Sequence, residues 1–199
     1  RRSQWFDETG LPWAYTSPNL PQLSTAIVYP GLCLLEGTNL SVGRGTALPF
    51  EICGAPWVDG EALAAALNAL GLPGARFRPV RFAPTADRFA GQECEGVQVH
   101  VLDRSTLRPV RLGLHVVATL RSLYPERFEW NAHFDRLMGG PATREALESG
   151  RTLRDITDEW AIAEALTVHE RTFPGRRSVA LARRTDCPPD LAAWIHAQK

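Results

Sequence analysis

The sequence predicts an α+β fold, in which helices cover a mixed β-sheet within a single domain. Residues 96–103 alternate apolar and polar side chains, as a strand with one buried face does. Residues 60–70 and 107–124 repeat apolar side chains every three or four positions, which is the spacing of helices that bury one face. Together these two periods indicate a sheet with helices packed on it.

Length and composition agree with a globular domain. The chain has 199 residues, enough for one sizeable core, and 44% of them are hydrophobic while 22% are charged. Its 22 basic and 22 acidic residues cancel, which argues against nucleic acid or an anionic membrane as the main partner. No apolar run approaches the roughly 20 residues that a membrane span needs.

Turn and capping residues set the predicted boundaries in the first third of the chain. A first helix is predicted at 22–29, because Pro30 and Gly31 follow its apolar pattern. A strand is predicted at 50–57, and Asp59 is placed to cap the helix at 60–70.

The middle of the chain adds the rest of the sheet and its longest helix. The strand at 76–82 is expected at an edge or at a bulged position, because Pro79 cannot donate a hydrogen bond to a neighbouring strand. The helix at 107–124 has Pro109 in its first turn, where proline is favoured. Further along, the sequence predicts a loop at 130–138 and helices at 143–150 and 152–166.

The end of the chain has a different character. From residue 167 onwards the sequence is basic, rich in proline and weakly patterned. We therefore assign residues 1–166 to the domain and 167–199 to an atypical tail that is loosely packed or disordered.

Polar residues that suit binding chemistry are concentrated between Leu35 and Trp57. This stretch contains four glycines and two prolines, so it is unsuited to an ordinary helix or a core strand. A carboxylate, an amide and a guanidinium lie within the nine residues from Glu36 to Arg44. We expect a shaped loop that directs them into one sugar-sized hollow, although a solvated loop with capping residues would have a similar composition.

Several longer motifs accompany this stretch. They are YPGLCLLEGTNLS-x-GRGT at 29–46 and PFE-x-x-GAPW at 49–57, with SPN at 17–19, FRPV at 77–80, GVQVH at 96–100 and RPVR at 108–111. In this order they resemble the bacterial exo-β-N-acetylmuramidases of glycoside hydrolase family 171. The resemblance extends from Trp5 to about Trp130. Inside the strongest motif, the chain has Val42 where the family usually has a glutamate.

The resemblance implies an activity and a partner. Members of that family release terminal N-acetylmuramic acid from peptidoglycan outside the cytoplasm, in bacterial cell-wall recycling. They carry a preceding Rossmann-like domain, on which the principal catalytic glutamate is expected in a PEHG-type turn. This chain has no such turn. It begins with Arg1 and not with an initiator Met, and it has no signal-peptide pattern. We therefore expect it to be the C-terminal part of such an enzyme, forming one wall of the active-site cleft.

Two carboxylates are candidates for chemistry. Hydrolysis of a glycosidic bond usually needs a pair of carboxyl groups on either side of the scissile oxygen. Glu36 and Glu51 are the pair that this stretch offers, and Glu51 stands between apolar neighbours that would raise its pKa. In the alternative interpretation, Glu51 forms an ion pair with Arg44 and simply closes the loop.

The substrate class predicts further contacts. Muramic acid carries a lactyl carboxylate that glucosamine lacks, and Arg44, between two glycines, is the best cation to bind it. His100 is either a substrate contact or a hydrogen-bonded histidine at a sheet edge. The remaining candidates for sugar hydroxyls, the N-acetyl group or the pyranose face are Thr38, Asn39, Gln98 and Trp57.

No metal or organic cofactor is implied. The four cysteines have no metal-binding spacing, and we expect buried thiols, with a Cys33–Cys53 bridge as the alternative. The expected partners are a peptidoglycan-derived sugar and the missing Rossmann-like domain. Two other functional interpretations stay open: a non-catalytic glycan-binding or interaction domain, and an inactive truncated homologue.

Overall fold

The computed structural model describes residues 4–14, 16–158 and 160. The chain divides into two compact units, residues 1–149 and residues 150–199. In the second unit, residues 153–158 are helical, as predicted for the start of 152–166. The predicted tail at 167–199 lies outside the described residues. Within the described part of the chain, no helix has the length and apolar character to cross a membrane.

The first unit is a single α+β domain, so the predicted fold class is confirmed. Its strands are β1 (Ile52–Ala55), β2 (Ala75–Phe82) and β3 (Cys94–Val101), in the order β1-β3-β2. Both β1 and β2 pair antiparallel with β3, whereas a mixed sheet was expected. The connection through a helix leaves β1 and β2 parallel but one strand apart, and β3 fills that gap in the opposite direction.

Cross-strand partners show which side chains share a face of the sheet. On one face Val97 and Val99 of β3 are buried, and Phe77 is the partner of Val99. Helix α2 (Gly60–Ala69) packs on β2 and β3. Asp59 caps it as predicted, since its Oδ1 accepts a hydrogen bond from the N–H of Ala62 at 3.0 Å. The opposite face displays polar side chains, with Gln98 beside Arg78 and His100 beside Arg76.

Two helices cross at a contact between backbones. Helix α1 (Leu23–Leu32) and helix α3 (Pro109–Leu123) meet at Gly31 and Gly113. A β-carbon on Gly113 would lie 2.1 Å from the carbonyl oxygen of Gly31, so only glycine fits there. The expectation that Pro30 ends the first helix was wrong. Proline in the last turn removes a single intrahelical hydrogen bond, and the close packing of Gly31 on α3 holds the turn together.

Short helices complete the unit. Helix α4 (His133–Met138) lies where the sequence predicted a loop, because Phe134 is fully buried and packs directly on Gly37. Packing, which local sequence does not show, therefore fixes this helix. Helix α5 (Ala142–Glu148) matches the helix predicted at 143–150. The edge position predicted for β2 is confirmed as well.

Candidate functional site

The glycine-rich stretch is the loop of a β-hairpin. Ser41 and Gly54 exchange backbone hydrogen bonds of 2.9 and 3.1 Å, and the N–H of Phe50 donates to the carbonyl of Val42 at 2.7 Å. Residues 43–50 connect the two arms, and we call them the hairpin loop. Val42 is buried at 3% exposure, so its apolar side chain suits its place in the core.

Two glycines allow this loop to fit between its neighbours. Gly43 and Gly45 have φ of 74° and 77°, in the left-handed region that favours glycine. A β-carbon on Gly43 would lie 2.6 Å from the side chain of Ile52, and one on Gly45 would lie 2.4 Å from the backbone nitrogen of Ala86. The N–H and hydroxyl of Thr85 both donate to the carbonyl of Gly45, at 3.0 and 2.8 Å. The loop is thereby fixed against the segment that follows β2.

An ion pair stands at the tip of the hairpin loop. The Nε and Nη2 groups of Arg44 donate to Oε1 of Glu36 at 2.9 and 2.5 Å. Asp87 approaches from the segment after β2, with its Oδ2 at 3.7 Å from the Nε of Arg44. The Arg44 side chain is 31% exposed and that of Glu36 is 22% exposed. The predicted convergence of this acid and this guanidinium is therefore present, although the amide of Asn39 does not join it.

The Arg44 guanidinium lies over the ring of Phe50. Cζ of Arg44 lies 5.0 Å from the centre of the Phe50 ring, within the range of a cation–π contact. Tyr29 meets the same ring edge-on, with 4.8 Å between ring centres. We call Tyr29, Glu36, Arg44, Phe50 and Asp87 the Arg44 cluster.

Backbone strain occurs at two members of the Arg44 cluster. Phe50 and Asp87 have φ of 60° and 66°, in the left-handed region. For a bulky aromatic residue this conformation is a genuine outlier, which costs on the order of 1–3 kcal/mol and persists only where the surroundings enforce it. Strain of this kind tends to be concentrated at functional sites, and here both strained residues contact the same guanidinium.

Thr38 and Asn39 are occupied in holding the backbone. The hydroxyl of Thr38 is fully buried and donates to the carbonyl of Leu35 at 2.7 Å. The Asn39 amide donates to the carbonyl of Arg127 at 2.7 Å and accepts from the N–H of Glu129 at 3.1 Å. These contacts bind the segment before the hairpin loop to the segment before α4. Their roles in sugar binding stay predictions.

Glu51 is turned towards α1. It is 8% exposed, and its Oε1 accepts hydrogen bonds from the side chains of Gln22, Ser24 and Thr25. The alternative interpretation, an ion pair between Glu51 and Arg44, was wrong, because Arg44 pairs with Glu36 and Asp87 instead. A catalytic role for Glu51 stays a prediction.

Comparison with known proteins decides the family. Residues 27–168 match the family described as the C-terminal region of the exo-β-N-acetylmuramidase NamZ. The chain belongs to this family. The NamZ C-terminal match contains the second half of α1, the hairpin loop and the whole sheet, and with them every member of the Arg44 cluster. The resemblance drawn from the motifs is thus confirmed.

Individual relatives agree with this assignment. The peptidoglycan β-N-acetylmuramidase NamZ of Bacillus subtilis (strain 168) is 42% identical over 162 residues, which are 80% of this chain and 39% of that protein. A solved DUF1343 family protein from Bacteroides fragilis NCTC 9343 has a TM-score of 0.77 at 28% identity, covering 87% of this chain and 47% of its own. A second DUF1343 protein from the same strain, at 23% identity and a TM-score of 0.53, shares the fold over 78% of this chain and 42% of its own. The chain therefore spans less than half the length of these relatives.

The other predicted residues of this NamZ-family chain lie along the sheet. Oε1 of Gln98 accepts from the Nη2 of Arg78 at 2.7 Å, and Gln98 is the cross-strand partner of Ile52, against which Gly43 packs. Nε2 of His100 is buried and has no hydrogen-bond partner among the described residues. Gln98 thus lies one strand away from the hairpin loop. The imidazole of His100 has an unused polar atom, which differs from the hydrogen-bonded histidine that was one alternative.

Trp57 is placed apart from the hairpin loop. It follows β1, whereas the loop precedes that strand, and its ring meets Tyr124 edge-on with 5.4 Å between centres. The Tyr124 hydroxyl accepts a hydrogen bond from the N–H of Asp59 at 2.8 Å. Trp57 therefore packs near the start of α2, and its proposed stacking on a sugar stays a prediction.

Sequence reasoning missed three residues that build the site. Asp87 belongs to an irregular segment with no motif, and Phe50 takes its strained conformation only because of its neighbours. The side chain of Asn131 donates to the carbonyls of Glu36 and Thr38 at 2.9 and 3.1 Å, and so fixes the backbone beneath the ion pair. Asp87 and Asn131 are distant in sequence from Glu36 and Arg44, and Phe50, although it belongs to the hairpin loop, has no local pattern that indicates its strained conformation.

The described thiols and acids do not form a metal centre. Among the residues that the structure describes, no group of three or more His, Cys, Asp or Glu side chains could hold a metal ion. Cys33, Cys53 and Cys94 are free and buried, so the alternative Cys33–Cys53 bridge was wrong. Burial raises the pKa of Cys53 to about 12 and that of Cys33 to about 11. These neutral thiols are small apolar side chains of the core.

Proposed function

We propose that this chain forms one wall of the active-site cleft of a peptidoglycan exo-β-N-acetylmuramidase, an enzyme that releases terminal N-acetylmuramic acid. Membership of the NamZ C-terminal family and 42% identity to a peptidoglycan β-N-acetylmuramidase support this activity. The chain spans 39% of that relative. We propose that a Rossmann-like domain on the N-terminal side completes the cleft, and that the enzyme recycles the bacterial cell wall outside the cytoplasm.

The observation that carries the proposal is the partly exposed edge of the Arg44 guanidinium. Glu36 takes the Nε and Nη2 groups, and no described residue accepts a hydrogen bond from Nη1. The edge formed by Nη1 and the second N–H of Nη2 can donate two parallel hydrogen bonds to a carboxylate. The lactyl group of muramic acid supplies such a carboxylate, whereas glucosamine does not.

Glu36 and Glu51 receive different roles in this proposal. Glu36 holds the guanidinium with Oε1, and its Oε2 has no hydrogen-bond partner among the described residues, so it can accept a hydrogen bond from the sugar. Glu51 supports the hairpin by joining it to α1. The carboxyl group that protonates the leaving oxygen would then come from the preceding domain.

The hydrogen bonds that occupy the Glu51 carboxylate also favour a second candidate function. A glycosidase usually needs two available carboxyl groups, and the hairpin of this chain offers one. A domain that binds the glycan without cleaving it, or an inactive homologue, would need no more than the Arg44 cluster.

Restoring the first domain separates the two candidates. The experiment measures release of a chromogenic group from a β-N-acetylmuramide by the chain alone and by the chain joined to its Rossmann-like domain. We expect hydrolysis by the two-domain protein, and loss of about 30- to 100-fold in kcat/KM on Arg44→Ala, as for removal of a charge-assisted pair of hydrogen bonds. Binding of N-acetylglucosamine should be unchanged.

Arg88→Ala is the matched control, because Arg88 is an exposed arginine next to Asp87 in the same segment. It should keep the activity of the unmodified protein. Muramic-acid binding without hydrolysis by the two-domain protein would favour the glycan-binding function. Equal rates for Arg44→Ala and Arg88→Ala would contradict the proposal that Arg44 binds the lactyl carboxylate.

A further inference from the structure

Tyr29 and the Arg44 guanidinium contact the same aromatic ring. The Tyr29 ring meets Phe50 edge-on, and the Arg44 guanidinium covers the same Phe50 ring at 5.0 Å. The charges of Glu36 and Arg44 both act on the ionisation of the phenol, so the three groups share one electrostatic environment. The phenol and the guanidinium are thus held on a single aromatic support.

The hydroxyl of Tyr29 makes no hydrogen bond to any other described residue, although the side chain is half-buried. Tyr124 offers a contrast within the same chain. Its hydroxyl accepts from the N–H of Asp59 at 2.8 Å and donates to the carbonyl of Asp59 at 3.4 Å. The Tyr29 oxygen is not among the buried unpaired side-chain atoms of the described residues, so it is accessible to solvent. An accessible, unpaired hydroxyl on a residue that shares its aromatic contact with the Arg44 guanidinium is suited to a ligand.

The protonation state of the phenol suits a donor. Burial raises the pKa of Tyr29 above its ordinary value, and the neighbouring Cys33 and Glu36 raise it further, while Arg44 lowers it. Tyr29 is consequently neutral at physiological pH and keeps its proton. The Glu36 carboxylate accepts the hydrogen bonds of Arg44 and offers no donor in this cluster. In the Arg44 cluster, Tyr29 and Arg44 are the groups that can donate to an anion.

We propose that Tyr29 is a specificity-determining residue, whose hydroxyl donates a second, independent hydrogen bond to the ligand carboxylate that Arg44 binds. Tyr29 and Arg44 would then select muramic acid over glucosamine together. This inference rests on the proposed function, because it takes the lactyl carboxylate as the ligand group.

Two phenylalanine variants test the role of the hydroxyl. Tyr29→Phe keeps the ring and its contact with Phe50, and Tyr124→Phe is a matched control that removes a hydroxyl already bonded to Asp59. Binding of N-acetylmuramic acid, its methyl ester and N-acetylglucosamine is measured by NMR titration of the full chain, together with urea unfolding. For Tyr29→Phe we expect undiminished stability and about 5- to 20-fold weaker binding of N-acetylmuramic acid alone.

Tyr124→Phe should show the reverse pattern, with lower stability and unchanged binding of all three sugars. Unchanged binding of N-acetylmuramic acid by Tyr29→Phe, with weaker binding by Arg44→Ala, would overturn the role of Tyr29 and leave the proposed function standing. Equal weakening for the acid and its methyl ester would also overturn it. If the unmodified chain does not distinguish N-acetylmuramic acid from N-acetylglucosamine, both the role of Tyr29 and carboxylate binding by Arg44 are contradicted.

Discussion

The carboxylate of Glu51 lies 2.7 Å from the hydroxyl of Thr25, in the first turn of α1. The same oxygen accepts from Ser24 at 2.8 Å and from Gln22 at 3.0 Å. Helix α1 has no side-chain cap of its own. An acid from the hairpin instead joins three side chains at this end of α1, where the helix dipole favours negative charge. This contact fixes the helix that carries Tyr29 to the loop that carries Arg44.

Replacing Glu51 by glutamine should weaken this junction. Glutamine keeps an oxygen for Thr25 but removes the charge, so we expect the free energy of unfolding to fall by about 1–2 kcal/mol. Urea denaturation measures the change, and Glu126→Gln, at an exposed position, is the control with no change. Full stability of Glu51→Gln with complete loss of hydrolysis in the two-domain protein would instead place Glu51 in the chemistry.

Asn39 allows a test of whether its amide serves the fold. In Asn39→Asp an oxygen replaces the amide nitrogen that now donates to the carbonyl of Arg127, so two acceptors face each other. We expect a loss of about 1–3 kcal/mol in the free energy of unfolding at neutral pH. Asn19→Asp is the control, because no described residue bonds to that side chain. A stable Asn39→Asp variant with weak sugar binding would contradict this and show that the Asn39 amide binds the sugar.

Asp87 affects the charge that Arg44 presents. Its Oδ2 lies 3.7 Å from the Nε of Arg44, and together with Glu36 it gives three charged groups a net charge of −1. Asparagine tolerates the left-handed conformation of this position, so Asp87→Asn removes the charge and preserves the backbone.

Binding of N-acetylmuramic acid to Asp87→Asn should be about two- to fivefold tighter at low salt, since repulsion between Asp87 and the ligand carboxylate is removed. Half of the Asp87 side chain is exposed, so the gain should nearly vanish in 1 M salt. Calorimetric titration at both salt concentrations measures this. Weaker binding at both would show that Asp87 orients Arg44 and does not oppose the ligand.

Alkaline pH should destabilise the fold through its buried thiols. The pKa of Cys53 is raised by burial from 9.0 to about 12. Above pH 9 the unfolded chain loses this proton while the folded chain keeps it, so the stability that is complete below pH 9 declines towards pH 12. We expect the urea midpoint to fall between pH 8 and pH 10.5, and to fall less in Cys53→Ala. An identical fall in the two proteins would contradict the buried, neutral thiol.

The sequence predicted those parts of the fold that local patterns control. Asp59 was placed as a cap, the alternation at 96–103 identified the two faces of β3, and Pro79 put β2 at an edge. Glu36 and Arg44 were expected to face one hollow, and the structure shows in addition that they pair with each other.

Contacts between distant parts of the chain could not be predicted in this way. Glu51 was assigned to chemistry or to Arg44, because nothing in the sequence shows that the side chains at the start of α1 bind this carboxylate. Asp87 and Asn131 approach the site from segments without a motif. The direction of β3 in the gap between β1 and β2 is a tertiary property, and the expected mixed sheet was wrong for that reason.

The crossing of α1 and α3 sets how Tyr29 and Glu36 lie relative to Arg44. Tyr29 stands two residues before Gly31, and Glu36 follows five residues after it, so both move with this crossing. A methyl group at position 31 or 113 would act as a spacer between the helices. It would move the Tyr29 phenol and the Glu36 carboxylate relative to the Arg44 guanidinium, which belongs to the hairpin loop. Exchange of these two glycines for larger residues is thus a route by which evolution can change the geometry of the Arg44 cluster without altering any of its members.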